Sequence, residues 1–321
     1  MPDNGYIYAV ARIRTKELQL LTASFLEQLL AAPSEEQCLR LLREHGWDGE
    51  SHDADKMLAQ ERRKTWSLIG ELVPDLSVFH VFLYQYDYHN LKAAVKESCR
   101  SGIHPGIFLE YGTIPSATIQ KATDSRNFSL LPERMRQTAK VAMDTLLRTR
   151  DGQMCDCIID RAALTEIGRA GKESHEEVLS LYGELTVATA DIKTAYRAAR
   201  TQKDHAFLER SLAPCDTLEI SGLESAALKG PDAVCSFLGS TPYAEAAPKL
   251  KTSPAVFECW CDNLLIRSIR PQIHNPFGLG PLAAYILARE SEIKTVRIIL
   301  SGKRNGLSAE SIRERVREPY V

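Results

Sequence analysis

The chain reads as all-α, and three observations predict it. Apolar residues recur at three- and four-residue spacing along most of its length, the period of one buried helix face. Alternating runs bounded by Asn-Gly or Asp-Gly turns, the mark of paired strands, are missing. The punctuation is that of helices, with Pro near starts and Ser or Asp just before them.

Taken in order, a first long helix is expected over 6–31, where Leu18, Leu21, Phe25 and Leu29 share a face. Ala32-Pro33-Ser34 ends it and caps a short helix over 34–45. Asp53-Ala54-Asp55 opens a helix over 53–72. Val73-Pro74-Asp75 closes that one and starts another over 75–99, striped by Leu76, Phe79 and Leu83. A short helix over 115–122 follows, then long ones over 132–148, 153–170 and 174–201, with Pro132 where the first turn tolerates it. A short helix over 231–239 precedes a long one over 254–270. The turn Asn275-Pro276-Phe277-Gly278-Leu279-Gly280-Pro281 launches the last long helix, 281–301, and a short one over 308–318 ends the chain.

One phrase occurs three times. Asp87-Tyr88-His89-Asn90-Leu91-Lys92 aligns with Asp191-Ile192-Lys193-Thr194-Ala195-Tyr196 and with Glu292-Ile293-Lys294-Thr295-Val296-Arg297. Each opens on an acid. Asn90, Thr194 or Thr295 follows three residues on, and Leu91, Ala195 or Val296 four residues on, so all three positions share one helix face. The acids are separated by 104 and 101 residues. A second element follows each copy, at Ile114-Pro115-Ser116, Leu223-Glu224-Ser225 and Leu307-Ser308-Ala309, and looks like a helix start. One such match is the chance likeness of polar helix starts. Two ordered elements recurring at one period predict a true threefold repeat of helical modules. Modules so related tend to sit around a pseudo-axis and can leave a central hollow, a shape that suits a socket or spacer.

The composition excludes several classes. A net charge of -2 gives no bias toward nucleic acid, and no apolar run approaches the roughly 20 residues of a membrane span. The start lacks a signal-peptide pattern, and the eight scattered cysteines fit a reducing, cytoplasmic setting. Cys155-Asp156-Cys157 and Cys259-Trp260-Cys261 invite a metal reading, but both fall in helical stretches, where residues two apart point about 200° from each other. Buried thiols are the better reading, and no metal is expected. Ser301-Gly302-Lys303-Arg304 lacks the spacing and preceding strand of a phosphate loop and reads as a glycine helix stop with basic residues beside it. His45, His52, His80, His89, His104, His175, His205 and His274 are dispersed, and the aromatic run between His80 and His89 reads as core. No catalytic residue and no cofactor is expected.

The chain resembles the C subunit of the bacterial and archaeal V-type (A-type) ATPases and ATP synthases, a relative of the d subunit of eukaryotic V-ATPases. The resemblance runs nearly end to end. It is carried by Tyr6-Ile7-Tyr8-Ala9-Val10-Ala11-Arg12-Ile13-Arg14, by the phrase at Asp87, by Ser240-Thr241-Pro242-Tyr243, by Asn275-Pro276-Phe277-Gly278, by Pro281-Leu282-Ala283-Ala284-Tyr285, and by Glu292-Ile293-Lys294 through Arg313-Glu314-Arg315-Val316-Arg317-Glu318 to Tyr320-Val321. It departs at Thr194-Ala195, where Asn-Leu is typical, and at Gly280, where an acid often stands. The resemblance implies a funnel of three helical modules around a pseudo-threefold axis. It implies a non-catalytic central-stalk protein that sits on the membrane rotor ring and receives the foot of the central shaft, cytoplasmic and peripheral to the membrane, without self-association. The modules are expected over 1–125, 126–228 and 229–321, and the N-terminal helix is free to pack with the third. A generic α-helical repeat adaptor is the rival reading, though repeats of about 30 to 50 residues would mark it better; a helical enzyme is a third. For Asp87, Asp191 and Glu292 two roles stand open. Each caps the start of a neighbouring helix, or the three form a polar lining that grips the shaft.

Overall fold

The computed structural model describes residues 6–47, 53–99 and 106–321. Among them there is no strand, and sixteen α-helices follow one another: α1 (Ile7–Glu17), α2 (Ala23–Ala31), α3 (Glu35–Glu44), α4 (Ala54–Leu72), α5 (Tyr84–Glu97), α6 (Ser116–Asp124), α7 (Glu133–Thr149), α8 (Gly152–Glu173), α9 (Glu177–Arg200), α10 (His205–Ser211), α11 (Ile220–Lys229), α12 (Pro231–Leu238), α13 (Ala246–Thr252), α14 (Pro254–Ile269), α15 (Gly280–Arg304) and α16 (Ala309–Arg313). Short 3-10 segments at Leu76–Phe82, Phe128–Leu130 and Arg270–His274 join them. His52 and His104 lie outside the described residues.

Many starts follow from caps visible in the sequence. The side chains of Thr22, Ser34, Asp53, Asp151, Asp204, Ser253 and Ser308 each accept a first-turn N–H, a contact that stabilises a helix by about 1 kcal/mol. Other expectations are corrected. The helix foreseen over 6–31 is two helices, because the chain turns at 18–22 and Thr22 caps the second. Leu18 therefore leaves the stripe it was assigned to and is 88% exposed. The segment foreseen as one helix over 75–99 opens as a 3-10 stretch, and the last helix ends at Arg313 rather than 318. Gly302 is not a stop. It lies inside α15, where a Cβ would meet Ile312 Cγ1 at 2.5 Å. The helix stops at Gly306 (φ +66°), with Leu307 N–H bonded to Gly302 O and Gly306 N–H to Lys303 O, the paired bonds of a glycine C-terminal motif.

The described chain divides into two compact units, Met1–Leu76 with Lys249–Val321, and Ser77–Pro248. In the first, α15 is the axis. Gly280 to Arg289 are buried without a break because α1, α3, α4, α14 and α16 all pack on this helix. Past Arg289 the burial becomes periodic, and Ile293, Val296, Ile299 and Leu300 face Leu26, Leu29, Leu30, Leu39, Leu42 and Met57 in one core. The chain's two ends thus share a core.

In the second unit α8 and α9 form an antiparallel hairpin whose backbones touch. A Cβ on Gly171 would lie 2.6 Å from Leu179 O, and one on Gly183 2.9 Å from Ile167 O, so only glycine permits this approach. Helices α5 and α7 pack on α8 through Leu91, Val95, Met135, Ala139, Ala142, Cys155 and Ile159. Helices α11 and α12 pack on α9, and α10 touches α8, α9 and α11.

Candidate functional site

The three acids of the repeated phrase are all buried. A carboxylate taken out of water is costly unless partnered, so each must have found donors. Asp87, on α5, has Oδ1 3.1 Å from the N–H of Ile114, and Oδ2 accepts from the Thr113 hydroxyl (2.5 Å) and Arg134 Nη2 (2.7 Å). Ile114 stands just before Pro115, which opens α6. Asp191, on α9, accepts the N–H of Ala213 through both oxygens, at 3.1 and 3.2 Å. Glu292, on α15, accepts the N–H of Leu21 through Oε1 and pairs with Arg289 Nη1 at 2.6 Å. Leu21 stands just before Thr22, the cap of α2.

Each acid therefore holds a main-chain N–H, but not always the one the repeat alignment points to. Ile114 is the expected partner of Asp87. Leu223 is inside α11 rather than at its start, and Asp191 holds Ala213 instead. Ser308 caps α16, while Glu292 holds Leu21 from the other end of the chain. The polar residues one turn on also diverge. Asn90 clasps Leu109 in both directions, Nδ2 to O at 2.7 Å and N to Oδ1 at 2.8 Å. Thr295 is buried and Thr194 half-buried.

Charge compensation differs among the copies. Asp87 has the Arg134 guanidinium, which also lies 4.4 Å from the Tyr84 ring centre. Burial pushes the Asp191 carboxyl up to about 8, only partly offset by the Ala213 N–H and the field of Arg161. Burial likewise pushes Glu292 up to about 7, against the pull of Arg289 and the Leu21 N–H. Around Glu292 the network continues. Buried Arg289 also pairs with Glu61 at 2.5 Å and lies 5.2 Å from the Trp47 ring centre, and Arg62 and Glu290 form a second α4–α15 pair at 2.7 Å. Sequence spacing could have flagged Arg289, three residues before Glu292 on one helix. Nothing local flags Arg134, 47 residues from Asp87, or Gly112, where a Cβ would meet Asp87 Oδ1 at 2.3 Å.

The remaining candidates resolve into packing. Cys155 and Cys259 are buried on α8 and α14, with Cys157 and Cys261 part-exposed; burial pushes the Cys155 thiol up to about 11. Val81, Phe82 and Tyr88 of the aromatic run are core, as is Phe79 just before it, and His89 Nε2 lies 3.1 Å from Ile107 O. Lys303 donates to Leu30 O and Arg304 pairs with Glu35, so both basic residues of the Ser301-Gly302-Lys303-Arg304 stretch are engaged in the first unit. No group of three or more His, Cys, Asp or Glu among the described residues is arranged to hold a metal ion. No helix among them is long and apolar enough to cross a membrane.

Comparison with known proteins places this architecture. The ATP synthase (C/AC39) subunit family model matches residues 9–315. The C subunit of the V-type sodium ATPase of Enterococcus hirae is 24% identical over 96% of this chain and 97% of its own length. The C subunit of the V-type ATP synthase of Thermus thermophilus is 24% identical over 98% of both chains. The C subunit of the A-type ATP synthase of Methanocaldococcus jannaschii is 24% identical over 96% of this chain and 85% of its own. A single family model spanning both compact units, and with them all three buried acids, means that the chain belongs to the ATP synthase (C/AC39) subunit family.

Proposed function

We propose that this chain is the central-stalk coupling protein of a rotary V-type ATPase, joining the central shaft subunits to the membrane rotor ring during ion transport. It is a non-catalytic part of that machine, cytoplasmic and bound to the membrane through the complex. The observation that carries this reading is the extent of the match: the family model spans residues 9–315, and C subunits of V-type ATPases and ATP synthases align over 96% and 98% of the chain. In this reading the chain comprises three modules, 1–125, 126–228 and 229–321, arranged as a funnel around a pseudo-threefold axis. Three acids at one repeat position, each holding a main-chain N–H, support such an arrangement. The same geometry favours an architectural role for the acids over a shaft-gripping one, since buried carboxylates present no oxygen to a partner.

The test is assembly. A tagged full chain, co-expressed with the shaft and ring subunits of the same ATPase, should recover both. Removing it should uncouple ATP hydrolysis from ion pumping in membranes. A complex that assembles and pumps normally without the chain would overturn the reading.

A further inference from the structure

In the second unit a groove of about 640 Å³ runs between α7 and α8, and Tyr88 of α5 and Arg210 of α10 complete its lining. On α7 the groove is lined by Arg134, Thr138, Val141 and Thr145, spaced by four, three and four residues. On α8 it is lined by Ile158, Arg161, Ala162 and Thr165. Each set occupies one helix face, and the α7 set extends over roughly 16 Å.

Three features of this lining lack an internal explanation. The first is charge. Three guanidinium groups, of Arg134, Arg161 and Arg210, meet a single carboxylate, Glu166, and Arg169 already engages that one at 2.7 Å. Asp87 balances Arg134. Among the described residues Arg161 and Arg210 make no ion pair. Arg161 Nε is fastened instead to Leu212 O at 2.7 Å, just past the last turn of α10 that carries Arg210. The second is a buried donor. Arg134 spends Nη2 on Asp87 and Thr113, but its buried Nε has no hydrogen-bond partner, although such groups are nearly always paired. The third is a set of hydroxyls. Thr65, Thr123, Thr149 and Thr189 each donate to the carbonyl four residues back on their own helix, a common resort of helical threonine. Among the described residues Thr138, Thr145 and Thr165 make no such bond, and all three line the groove.

We propose that this groove binds a small organic phosphate, a phosphate monoester whose phosphoryl group is held by Arg161 and Arg210 and whose carbon body lies along Val141, Ile158 and Ala162. Two uncompensated guanidinium groups match the charge of about -1.5 to -2 that a phosphate monoester carries near neutral pH. The planar fork of arginine fits phosphoryl oxygens in pairs, and the free threonine hydroxyls add neutral donors. A phosphoryl group offers three terminal oxygens on one centre to two neighbouring forks. A dicarboxylate of the same charge divides its oxygens between two flat groups. Val141 is 38% exposed and Ile158 and Ala162 are half-buried, an apolar strip that an organic body would cover and a free phosphate ion would not. The volume lies within the range of small-molecule sites, roughly 300–1,000 Å³.

The experiment uses the full chain alone, so its result is independent of assembly with other subunits. Calorimetric titrations with phenyl phosphate, inorganic phosphate and succinate are run beside flotation with vesicles containing phosphatidic acid, whose headgroup is also a phosphate monoester. Phenyl phosphate should bind severalfold more tightly than inorganic phosphate, should bind at least about tenfold more tightly than succinate, and should raise the melting temperature. Arg210→Glu should weaken phenyl phosphate at least about tenfold, and Arg210→Lys should retain most of the affinity. Thr138→Val with Thr165→Val should weaken it severalfold. Arg148→Glu makes the same charge change on the exposed last turn of α7, outside the groove, and should leave binding unchanged. Melting temperatures of the unliganded Arg210 and Arg148 variants should match wild type, since both side chains are exposed. No binding of phenyl phosphate at about ten millimolar, succinate binding as tightly, or equal losses in Arg210→Glu and Arg148→Glu would overturn the proposal. Vesicle flotation abolished by Arg210→Glu, without binding of phenyl phosphate, would assign the groove to a lipid headgroup and overturn the small-ligand site.

Discussion

Asp87 and Asp191 sit in one compact unit, at matching positions of the recurring sequence phrase, with no exposed surface on either. Both hold the N–H of a residue that precedes a proline, Ile114 before Pro115 and Ala213 before Pro214. They differ in charge balance. Asp87 faces a guanidinium at 2.7 Å; Asp191 has a main-chain N–H and, among the described residues, no ion pair. What the two copies share is the hydrogen bond that fixes a returning segment. What they do not share is a counter-charge, which Arg134 supplies to Asp87 and which no described ion pair supplies to Asp191. The two sites agree in geometry and differ in electrostatics.

The largest test of this difference is neutralisation of each acid. Asp87→Asn keeps an acceptor for Ile114 but strips the counter-ion from Arg134, which is largely buried. Breaking such a pair by removing one partner costs about 3–5 kcal/mol. Asp191→Asn keeps its acceptor and strands no cation. Urea denaturation at neutral pH should show the first variant destabilised by about that amount and the second near wild type. Equal losses would end the distinction. The double variant Asp87→Asn with Arg134→Leu should recover part of the loss.

The second test is pH. A carboxyl whose folded pKa lies above its unfolded value binds its proton more tightly in the native state, so the stability it adds is fully present below the unfolded pKa and lost as pH rises through the folded one. For Asp191 that window runs from the usual carboxylate value of 3.8 to about 8, and for Glu292 from 4.5 to about 7. The protein should therefore be less stable at pH 8.5 than at pH 5.5, by a few kcal/mol at one pKa unit per roughly 1.4 kcal/mol. Asp191→Asn should flatten this slope. A wild-type stability that rises over the same interval contradicts the assignment.

Gly112 gives the third, smaller effect. A methyl group there would lie 2.3 Å from Asp87 Oδ1, a separation that real Cβ atoms do not show, so the carboxylate or the loop must shift. Gly112→Ala should cost about 1–3 kcal/mol, the range for overpacking, and no described glycine crowds Asp191 in the same way. Its cost should fall sharply in the Asp87→Asn background if the clash acts through the ion pair. Additive losses in the double variant would detach Gly112 from the site.

The contrast also shows how far sequence carries. Caps such as Ser34, Asp53 and Ser308 act within three residues, so they were legible, as were most long helices. The acids were legible as a periodic phrase on one helix face. Their partners were not, because a carboxylate's donor is set by tertiary approach: Arg134 and Ala213 are 47 and 22 residues away, and Leu21 is 271 away at the other end of the chain. The break at 18–22 escaped because Leu18, Leu21 and Phe25 keep helical spacing across it. Gly302 misled for a related reason. It meets the need for close approach by Ile312, and the positive φ that ends α15 belongs to Gly306 four residues on.

The smallest expected effect concerns the residue one turn after each acid, and it asks whether the difference extends beyond charge. Asn90 is fully buried and satisfies both the N–H and the O of Leu109, so it fixes the loop leading toward Ile114 independently of Asp87. Asn90→Ala would remove the side-chain partners of two main-chain groups. Each lost net hydrogen bond costs about 0.5–1.5 kcal/mol, and more where the orphaned group stays dry. A loss of about 1–3 kcal/mol follows, with faster amide exchange at Leu109. Thr194 occupies the corresponding position after Asp191 but is half-buried, and it lacks the amide needed to donate and accept at once. Thr194→Ala should cost less than about 0.5 kcal/mol, in the range of ordinary partly exposed positions. If Thr194→Ala instead destabilises as much as Asn90→Ala, the two copies are under the same constraint. The divergence drawn from Asp87 and Asp191 would then be confined to their charge and would not reach the return segments they hold.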